Sequence, residues 1–368
     1  MNERRTTDPW TVRRVVRWSA EDFAQRGLSS PRLDAELLVA HALGLSRVQL
    51  YMDLDRVLVD EELVKVRELV QRRRKREPVA YLVGHKEFWG RPFLVDRAVL
   101  VPRPDTETLV ERALALLSRD ERRASADAPV SGSAQREAAS GVPTHVEREV
   151  EPDMVMEEDA SEASTKAPEA GGEREETRAS VAMDAAARPA RVVRVLDLCT
   201  GSGCIGLTLA CERRELEVVL TDVSAPALAV ARANLEKLAE RDPTLIGRVT
   251  LREGDLFAAL PPGARFDLVT CNPPYLSRAE LEDVERDVRD HEPTSALVAG
   301  PKGDEVLARL AAEVGAWLAP GGVVLTEIGV GQGERVRRLF ERAGLREVRV
   351  LQDLSGRDRV VEGHAAQG

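Results

Sequence analysis

Apolar side chains recur at helical spacing through residues 8–85, which predicts a bundle of short helices. The pattern places one helix over Trp10–Arg26 and a second over Pro31–Gly44. A third begins at Asp60, the expected N-cap, and ends in the basic run Arg72–Arg76. Because helix C-termini favour cations, we expect this run to be solvated, with a contact to an acidic partner or to RNA phosphate as the alternative.

The hydrophobic pattern changes over residues 86–118. Aromatic and β-branched residues predict a hairpin around Phe88–Phe93, followed by a rigid turn at Pro102–Glu107 and a helix that ends near Ser118. Residues 119–190 contain no aromatic residue and show no sustained period. Such a segment cannot bury enough apolar surface to offset its chain entropy, so we expect an acidic disordered insert there.

Strand and helix patterns alternate from residue 191 to residue 363, which predicts a parallel α/β sheet. The end of the chain is typical of an antiparallel hairpin on the edge of that sheet. Strands are expected at Val192–Cys199, Glu217–Asp222, Val249–Glu253, Phe266–Asn272 and Gly322–Glu327. Helices are expected at Ile205–Glu212, Ala225–Ala239, Gly303–Leu318 and Gly333–Ala343.

Charge is distributed unevenly among these regions. Basic and acidic side chains number 21 and 18 in residues 1–118, 9 and 17 in residues 119–190, and 23 and 28 in residues 191–368. The net charges are therefore +3, −8 and −5, within a whole-chain charge of −10. No region has the basic excess of a dedicated DNA-binding protein, so no direct DNA binding is expected. No apolar run approaches the roughly 20 residues that span a bilayer, so no membrane partner is expected.

The four cysteines indicate a reducing compartment rather than a metal centre. Cys199, Cys204, Cys211 and Cys271 form no Cys-x-x-Cys pair and have no histidine at zinc-ligand spacing. We expect buried thiols in a cytoplasmic protein, and no metal site.

A glycine-containing turn follows the first strand of the α/β region. Such a turn brings backbone close to a ligand beside a helix N-terminus. Its glycines are Gly201, Gly203 and Gly206, and Cys199 breaks the dinucleotide fingerprint. The Cys199 backbone must therefore not need a positive φ. Asp197 near the strand end suits a cationic cofactor such as S-adenosylmethionine, which carries an ammonium, a sulfonium and no phosphate; a nucleotide site or a structural turn is the alternative.

Acidic residues follow the next two strands. Asp222 ends the second strand, where a carboxylate can accept hydrogen bonds from both ribose hydroxyls of a cofactor, unless it serves as the N-cap of the next helix. Asp255 and Leu256 follow the third strand, where an adenine ring would meet polar contacts at its edge and an apolar side chain at its face.

The tetrapeptide Asn272-Pro273-Pro274-Tyr275 follows the fourth strand. The prolines have nearly fixed φ and hold their carbonyls in a preset direction, and Asn272 adds a side-chain oxygen. Two acceptors can then grip both hydrogens of an NH₂ group while Tyr275 offers a flat face to a planar amide or base. Because an amide lone pair is delocalised, these hydrogen bonds would orient the nitrogen and disperse the charge that develops during methyl transfer.

These motifs resemble those of the bacterial release factor glutamine methyltransferases, the HemK-type protein methyltransferase family. The resemblance covers about residues 10–118 and 191–363. Asn-Pro-Pro-Tyr alone is shared with DNA amino-methyltransferases, whereas the Pro-Arg-Pro-x-Thr-Glu and Glu-Pro-x-x-Ala-Leu segments are more specific. The matching segments are Glu77–Gly84, Glu87–Trp89, Val99–Glu107, Asp197–Gly203, Asn272–Tyr275 and His291–Leu297.

The resemblance implies a class I S-adenosylmethionine-dependent methyltransferase domain, a Rossmann-like seven-stranded sheet, preceded by a helical bundle that recognises the release factor. The implied substrate is the glutamine of the Gly-Gly-Gln motif in class I peptide-chain release factors. A DNA adenine or cytosine amino-methyltransferase and a non-catalytic scaffold are the alternatives.

The same resemblance assigns residues to roles. The implied cofactor residues are Thr200, Gly201, Ser202, Gly203, Asp222 and Asn272. The expected cofactor site also includes Cys199 in the same turn and, by their position after the third strand, Asp255 and Leu256. The implied catalytic residues are Asn272, Pro273 and Tyr275, with Pro274 beside them and Arg103 and Glu107 shaping the substrate entrance.

Overall fold

The computed structural model describes residues 9–126 and 192–367. Most of the predicted insert at 119–190 therefore lies outside the described residues. The helix that was expected to end near Ser118 continues to Ala126, so that boundary was wrong. The division of the chain at residues 85, 118 and 190 stays a prediction.

The N-terminal region is a helical bundle around one apolar core. Its helices are α1 (Val12–Gln25), α2 (Pro31–Leu43), α3 (Arg47–Met52), α4 (Asp60–Arg74) and α5 (Val79–Val83). Phe23, Leu38 and Val70 are among the side chains buried between them. The short α3 was not predicted; it is held by a reciprocal pair of hydrogen bonds between Ser46 and Gln49.

The start of α4 corrects a detail of the sequence analysis. Its N-cap is Val59, and Asp60 is the first helical residue. The Glu62 carboxylate, in the first turn of the helix, accepts the Val59 N–H at 3.1 Å, which is the hydrogen bond that the third helical residue makes in a capping box.

A β-hairpin with a two-residue turn follows the bundle. Its strands are β1 (His85–Phe88) and β2 (Arg91–Leu94). Trp89 and Gly90 both have positive φ, 51° and 67°, as a type I′ turn requires. Phe88 and Phe93 pack edge to face with ring centroids 6.1 Å apart. Helix α6 (Glu107–Ala126) starts beside the hairpin, and the Glu107 carboxylate accepts the Trp89 N–H at 2.8 Å.

The C-terminal region is a seven-stranded sheet with helices on both faces. The strands of this sheet are β3 (Val193–Leu198), β4 (Leu216–Asp222), β5 (Val249–Glu253), β6 (Phe266–Cys271), β9 (Leu318–Glu327), β10 (Arg346–Gln352) and β11 (Asp358–His364). Two further strands, β7 (Leu276–Ser277) and β8 (Val298–Gly300), pair with each other outside it. The helices are α7 (Cys204–Glu212), α8 (Ala225–Ala239), α9 (Leu245–Arg248), α10 (Arg286–Arg289), α11 (Thr294–Leu297), α12 (Glu305–Val314) and α13 (Gly333–Arg342).

The strand order in the sheet is β10-β11-β9-β6-β3-β4-β5, and the five strands from β9 to β5 are parallel. The chain runs outward from β3 through β4 to β5 and then returns to the other side of β3 with β6. Leu198 at the end of β3 is aligned with Thr221 of β4 and with Cys271 of β6. The loops after these three strands therefore meet at one edge of the sheet, the usual position of a ligand site in this kind of fold.

The basic run Arg72–Arg76 is not a solvated helix end, contrary to our expectation. Arg73 is 3 % exposed and bridges Asp34 of α2, at 2.8 Å, and Asp287 of α10, at 2.6 Å. The other pairs are Arg72 with Glu77, Arg74 with Asp22, and Arg76 with Asp287. The run thus connects the bundle to the segment between β7 and β8 through Arg73 and Arg76, while Lys75 is exposed and the Arg72 side chain is partly exposed.

We predict that Arg73→Met lowers the free energy of unfolding by about 3–5 kcal/mol, because Asp34 is left buried without its cation. The exposed Lys75→Met is the control and should stay within about 0.5 kcal/mol of the wild type. Urea denaturation followed by circular dichroism compares the two, and equal midpoints would show that the Arg73 ion pairs are not important for stability.

Candidate active site

A cavity of about 300 Å³ opens where the loops after β3, β4 and β6 converge. The predicted site residues that line it are Arg103, Cys199, Thr200, Gly201, Ser202, Asp222, Asp255, Leu256, Asn272 and Pro274. Four other predicted residues, Glu107, Gly203, Pro273 and Tyr275, do not line this cavity.

The turn after β3 is built around the buried carboxylate of Asp197. One oxygen, Oδ2, accepts the Thr200 hydroxyl at 2.6 Å and the Gly206 N–H at 3.2 Å, and Oδ1 accepts the Thr270 hydroxyl at 2.8 Å. Burial raises the pKa of Asp197 to about 6, although the hydroxyl hydrogen bonds lower it. Asp197 has no exposed surface, so our expectation that it meets a cationic cofactor was wrong. It holds the turn in shape.

The backbone of this turn is left-handed at three positions. Cys199 has φ 55°, Gly201 55° and Gly203 80°, so the expectation that Cys199 avoids positive φ was wrong. A non-glycine residue in this conformation costs about 1 kcal/mol or more, and such strain concentrates at functional sites. A side chain at Gly203 would also displace Leu207, since a Cβ there would lie 2.8 Å from Leu207 Cδ1.

Asp222 ties the turn to the loop after β4. Its Oδ2 accepts the Gly201 N–H and its Oδ1 accepts the Ser224 N–H, both at 2.9 Å. The N-cap of α8 is Ser224, whose hydroxyl accepts the Ala227 N–H. Asp222 is therefore not the helix cap. Its carboxylate oxygens keep further lone pairs for a ligand in the cavity.

Asp255 and Leu256 form another wall of the cavity. Leu256 is buried and has φ 48°, a second strained position in the site. The exposed Asp255 carboxylate forms an ion pair with Arg309 at 2.9 Å. This pair was not predicted.

The Asn-Pro-Pro-Tyr loop begins where β6 ends. The Asn272 side chain lines the cavity, and its Nδ2 donates to the Thr106 hydroxyl at 3.4 Å. Tyr275 packs against the hydrophobic core behind the loop, with its hydroxyl 3.4 Å from Glu327 Oε1. Its carbonyl oxygen accepts a hydrogen bond from Gln332 Nε2 at 2.8 Å, which holds the far end of the loop in place. The role of Tyr275 as a stacking face stays a prediction.

The segment around Arg103 forms the entrance wall. The Arg103 guanidinium pairs with Glu292, whose Oε2 also accepts the Val101 N–H at 3.1 Å. Next to Glu292, His291 Nε2 lies 2.9 Å from the Lys75 carbonyl oxygen. Glu107 instead binds the hairpin, as described above.

Sequence reasoning missed four residues that organise the site: Thr106, Glu292, Glu327 and Gln332. A signal existed for two of them, because Thr106 and Glu292 lie inside the segments that carry the family resemblance. Glu327 was visible only as the end of a predicted strand, and nothing in the local pattern distinguished Gln332.

Within the described ranges, 9–126 and 192–367, no helix is long and apolar enough to cross a membrane. The same residues contain no group of three or more His, Cys, Asp or Glu side chains that could hold a metal ion.

Five parallel strands continue into the antiparallel strand β11, and the cavity lies at the carboxyl ends of β3 and β6, where the strand order changes direction. These two features define a class I methyltransferase. Family models match the chain as "Methyltransferase small domain" over residues 182–288 and as "PrmC N-terminal domain" over residues 14–84. The chain belongs to the release factor glutamine methyltransferase family.

Three relatives with that name support the assignment. The one from Rhodopirellula baltica is 33% identical over 362 residues, covering 98% of both chains. The one from Geobacter sulfurreducens is 34% identical over 354 residues, covering 96% of both. The one from Salmonella typhimurium is 33% identical over 347 residues, covering 94% of this chain and 97% of its own.

The solved structure of a protein-(glutamine-N5) methyltransferase (release factor-specific) from Alicyclobacillus acidocaldarius is 28% identical. It covers 47% of this chain and 80% of that one, with a TM-score of 0.27.

The strained turn leads to a stability prediction. Cys199→Gly should be more stable than Cys199→Val by about 1–2 kcal/mol, because glycine accepts φ 55° freely and a β-branched residue does not. Thermal unfolding of the two variants side by side measures the difference. The reverse order would mean that the turn does not need a left-handed residue at this position.

Proposed function

We propose that this protein transfers a methyl group from S-adenosylmethionine to the side-chain amide nitrogen of the Gly-Gly-Gln glutamine in class I peptide-chain release factors. The observation that carries the proposal is the position of Asn272, whose side chain lines the cavity beside the turn after β3. The names of the family's members support the substrate class. We also propose that the helical bundle contributes to release factor recognition.

The charge of the cavity fits S-adenosylmethionine better than a phosphate-bearing ligand. Asp222 lines it without an arginine partner, whereas the other carboxylate, Asp255, is paired with Arg309, and the arginine in the wall, Arg103, is paired with Glu292. Asp222 would accept the ribose hydroxyls, and Asp255 and Leu256 would border the adenine. The turn from Cys199 to Gly203 would hold the amino-acid end of the cofactor. Bound S-adenosylmethionine supplies an electrophilic methyl group on its sulfonium.

Methyl transfer to an amide nitrogen requires orientation more than acid–base chemistry. Asn272 Oδ1 and the Pro273 carbonyl would each accept one N–H of the glutamine NH₂ and direct its nitrogen toward the methyl group. These acceptors stabilise the positive charge that builds on the nitrogen as the new bond forms. The methylated nitrogen would then lose one of its two protons to solvent water.

The alternatives are less consistent with the described residues. A DNA amino-methyltransferase needs cations free to bind phosphate, yet the arginines of the Arg72–Arg76 run are paired within the protein, as is Arg103. A non-catalytic scaffold would not need Asn272 in the cavity wall.

Mass spectrometry tests the proposal directly. A purified unmethylated release factor, incubated with the enzyme and labelled cofactor, should gain one methyl group that fragmentation locates on the glutamine side chain. Transfer of the labelled methyl group to DNA and not to the release factor would refute the proposal.

We predict that Asp222→Ala weakens cofactor binding by about 1–3 kcal/mol, because two ribose hydroxyls lose a charged acceptor. This corresponds to roughly 5- to 150-fold in Kd, measured by calorimetry. Glu253→Ala, an exposed carboxylate at the end of β5 that does not line the cavity, is the control and should bind normally. Unchanged affinity in Asp222→Ala would remove this residue from the site.

We predict that Asn272→Ala lowers the single-turnover rate by about 10²–10³, as loss of one positioned charge-stabilising group typically does. Binding of the release factor should change far less, because most of its contact lies outside the tetrapeptide. Asn272→Asp, which keeps an acceptor, should retain part of the activity. A wild-type rate in Asn272→Ala would rule out the amide-gripping mechanism.

A further inference from the structure

The Asn-Pro-Pro-Tyr loop has few soft backbone dihedrals. Pro273 and Pro274 have nearly fixed φ, and each proline also restricts the residue before it to extended conformations. The tetrapeptide is therefore a short stiff segment whose direction is set at its two ends. One end is fixed in the sheet, because Cys271 is paired with Leu198. The direction of the Pro273 carbonyl then depends on what holds the other end, at Tyr275.

The Gln332 side chain holds the peptide group that follows Tyr275. Its amide nitrogen, Nε2, donates to the Tyr275 carbonyl oxygen at 2.8 Å and to the Gly303 carbonyl oxygen at 3.3 Å. Its amide oxygen, Oε1, accepts the Gly329 N–H at 2.9 Å. One side chain thus connects the loops that follow β6, β8 and β9.

These three hydrogen bonds allow only one orientation of the Gln332 amide. After a rotation by half a turn, its oxygen would face two carbonyl oxygens and its NH₂ group would face the Gly329 N–H. Backbone carbonyls only accept hydrogen bonds and backbone N–H groups only donate them, so no change of protonation can reverse this choice. The amide nitrogen is therefore always directed at the Tyr275 carbonyl.

Two glycines let the neighbouring loops approach Tyr275 closely. A Cβ at Gly303, where φ is 81°, would lie 2.9 Å from the Tyr275 carbonyl oxygen and 2.8 Å from the Ser277 nitrogen. A Cβ at Gly329 would lie 3.1 Å from Tyr275 Cδ2. Glycine removes both contacts. The three loops therefore pack directly on one another, and the Gln332 amide joins them.

We propose that Gln332 is a positioning residue for methyl transfer, which directs the Pro273 carbonyl toward the substrate amide by fixing the Tyr275 peptide group. This proposal rests on the proposed function, in which that carbonyl accepts one N–H of the glutamine. Gln332 does not line the cavity, so its effect reaches the substrate only through the loop. Its loss should therefore slow the transfer step without weakening the binding of cofactor or release factor.

Two variants separate the contacts of Gln332. Gln332→Glu keeps the shape and can still accept the Gly329 N–H, but an ionised carboxylate cannot donate to the Tyr275 and Gly303 carbonyls. Gln332→Met removes all three hydrogen bonds and adds no charge. Both should be about 10- to 100-fold slower in single-turnover methylation of the release factor at saturating cofactor and mildly alkaline pH, because a displaced acceptor no longer aligns the nitrogen.

The KM for the release factor and the Kd for the cofactor should stay within a few-fold of the wild type in both variants. A merely structural role of Gln332 would instead change the melting temperature and the cofactor Kd, and would leave the rate of the folded enzyme unchanged. If Gln332→Glu does not fold, the rate and affinities of Gln332→Met decide alone.

Gln367→Glu is the matched control, because it makes the same chemical change at an exposed position beside Gly321, near the start of β9. Gly329, by contrast, follows the other end of that strand. The control should methylate at the wild-type rate.

Two results would overturn the proposal. A wild-type rate in Gln332→Met would show that the loop needs no support at Tyr275. A slow Gln332→Met beside a normal Gln332→Glu would assign the effect to the Gly329 hydrogen bond, and so to the turn after β9. A wild type that does not methylate the release factor would instead contradict the proposed function, so the two failures are distinguishable.

Discussion

The pairing of β3 with β6 is the constraint on which the rest of the site depends. The chain leaves β3 on one side for β4 and β5 and comes back on the other side with β6, so the loops after β3 and β6 lie side by side at the edge of the sheet. One loop is the strained turn around Cys199 and Gly203, and the other begins with Asn272. A shift of one residue in this pairing would change which faces the side chains occupy and separate the cofactor turn from the proposed substrate acceptors.

Buried carboxylates hold the loops that this pairing brings together. Asp197 organises the turn after β3, Glu292 holds the entrance segment through Arg103 and Val101, and Glu327 lies beneath the Asn-Pro-Pro-Tyr loop. Burying each carboxylate costs desolvation energy, and for the same reason burial raises the pKa of all three groups. Their hydrogen bonds to backbone N–H groups, hydroxyls and Arg103 hold the loops in one arrangement, which is the requirement for reacting with a poor nucleophile such as an amide nitrogen.

The sequence predicted most strands and long helices of the α/β region to within a residue, because alternating periods and turn residues are local signals. Ala225–Ala239 and Val249–Glu253, for example, have the predicted bounds. Two bounds were wrong by four residues: β9 begins at Leu318 and not at Gly322, and α12 ends at Val314 and not at Leu318. Local signals failed where the deciding partner is distant in sequence. Arg76 and Asp287 are 211 positions apart, and no local pattern shows that the basic run is internally paired. The turn was predicted as a ligand site, but the inward direction of Asp197 and the positive φ of Cys199 follow from tertiary contacts and not from residue type.

A crystal structure of the enzyme with S-adenosylhomocysteine and a Gly-Gly-Gln peptide measures the central claim most directly. The account predicts that the glutamine NH₂ nitrogen lies about 2.7–3.2 Å from both Asn272 Oδ1 and the Pro273 carbonyl oxygen, while Asn272 Nδ2 stays on Thr106. A complex in which the glutamine carbonyl oxygen faces Asn272, or in which the NH₂ nitrogen contacts neither acceptor, would contradict it.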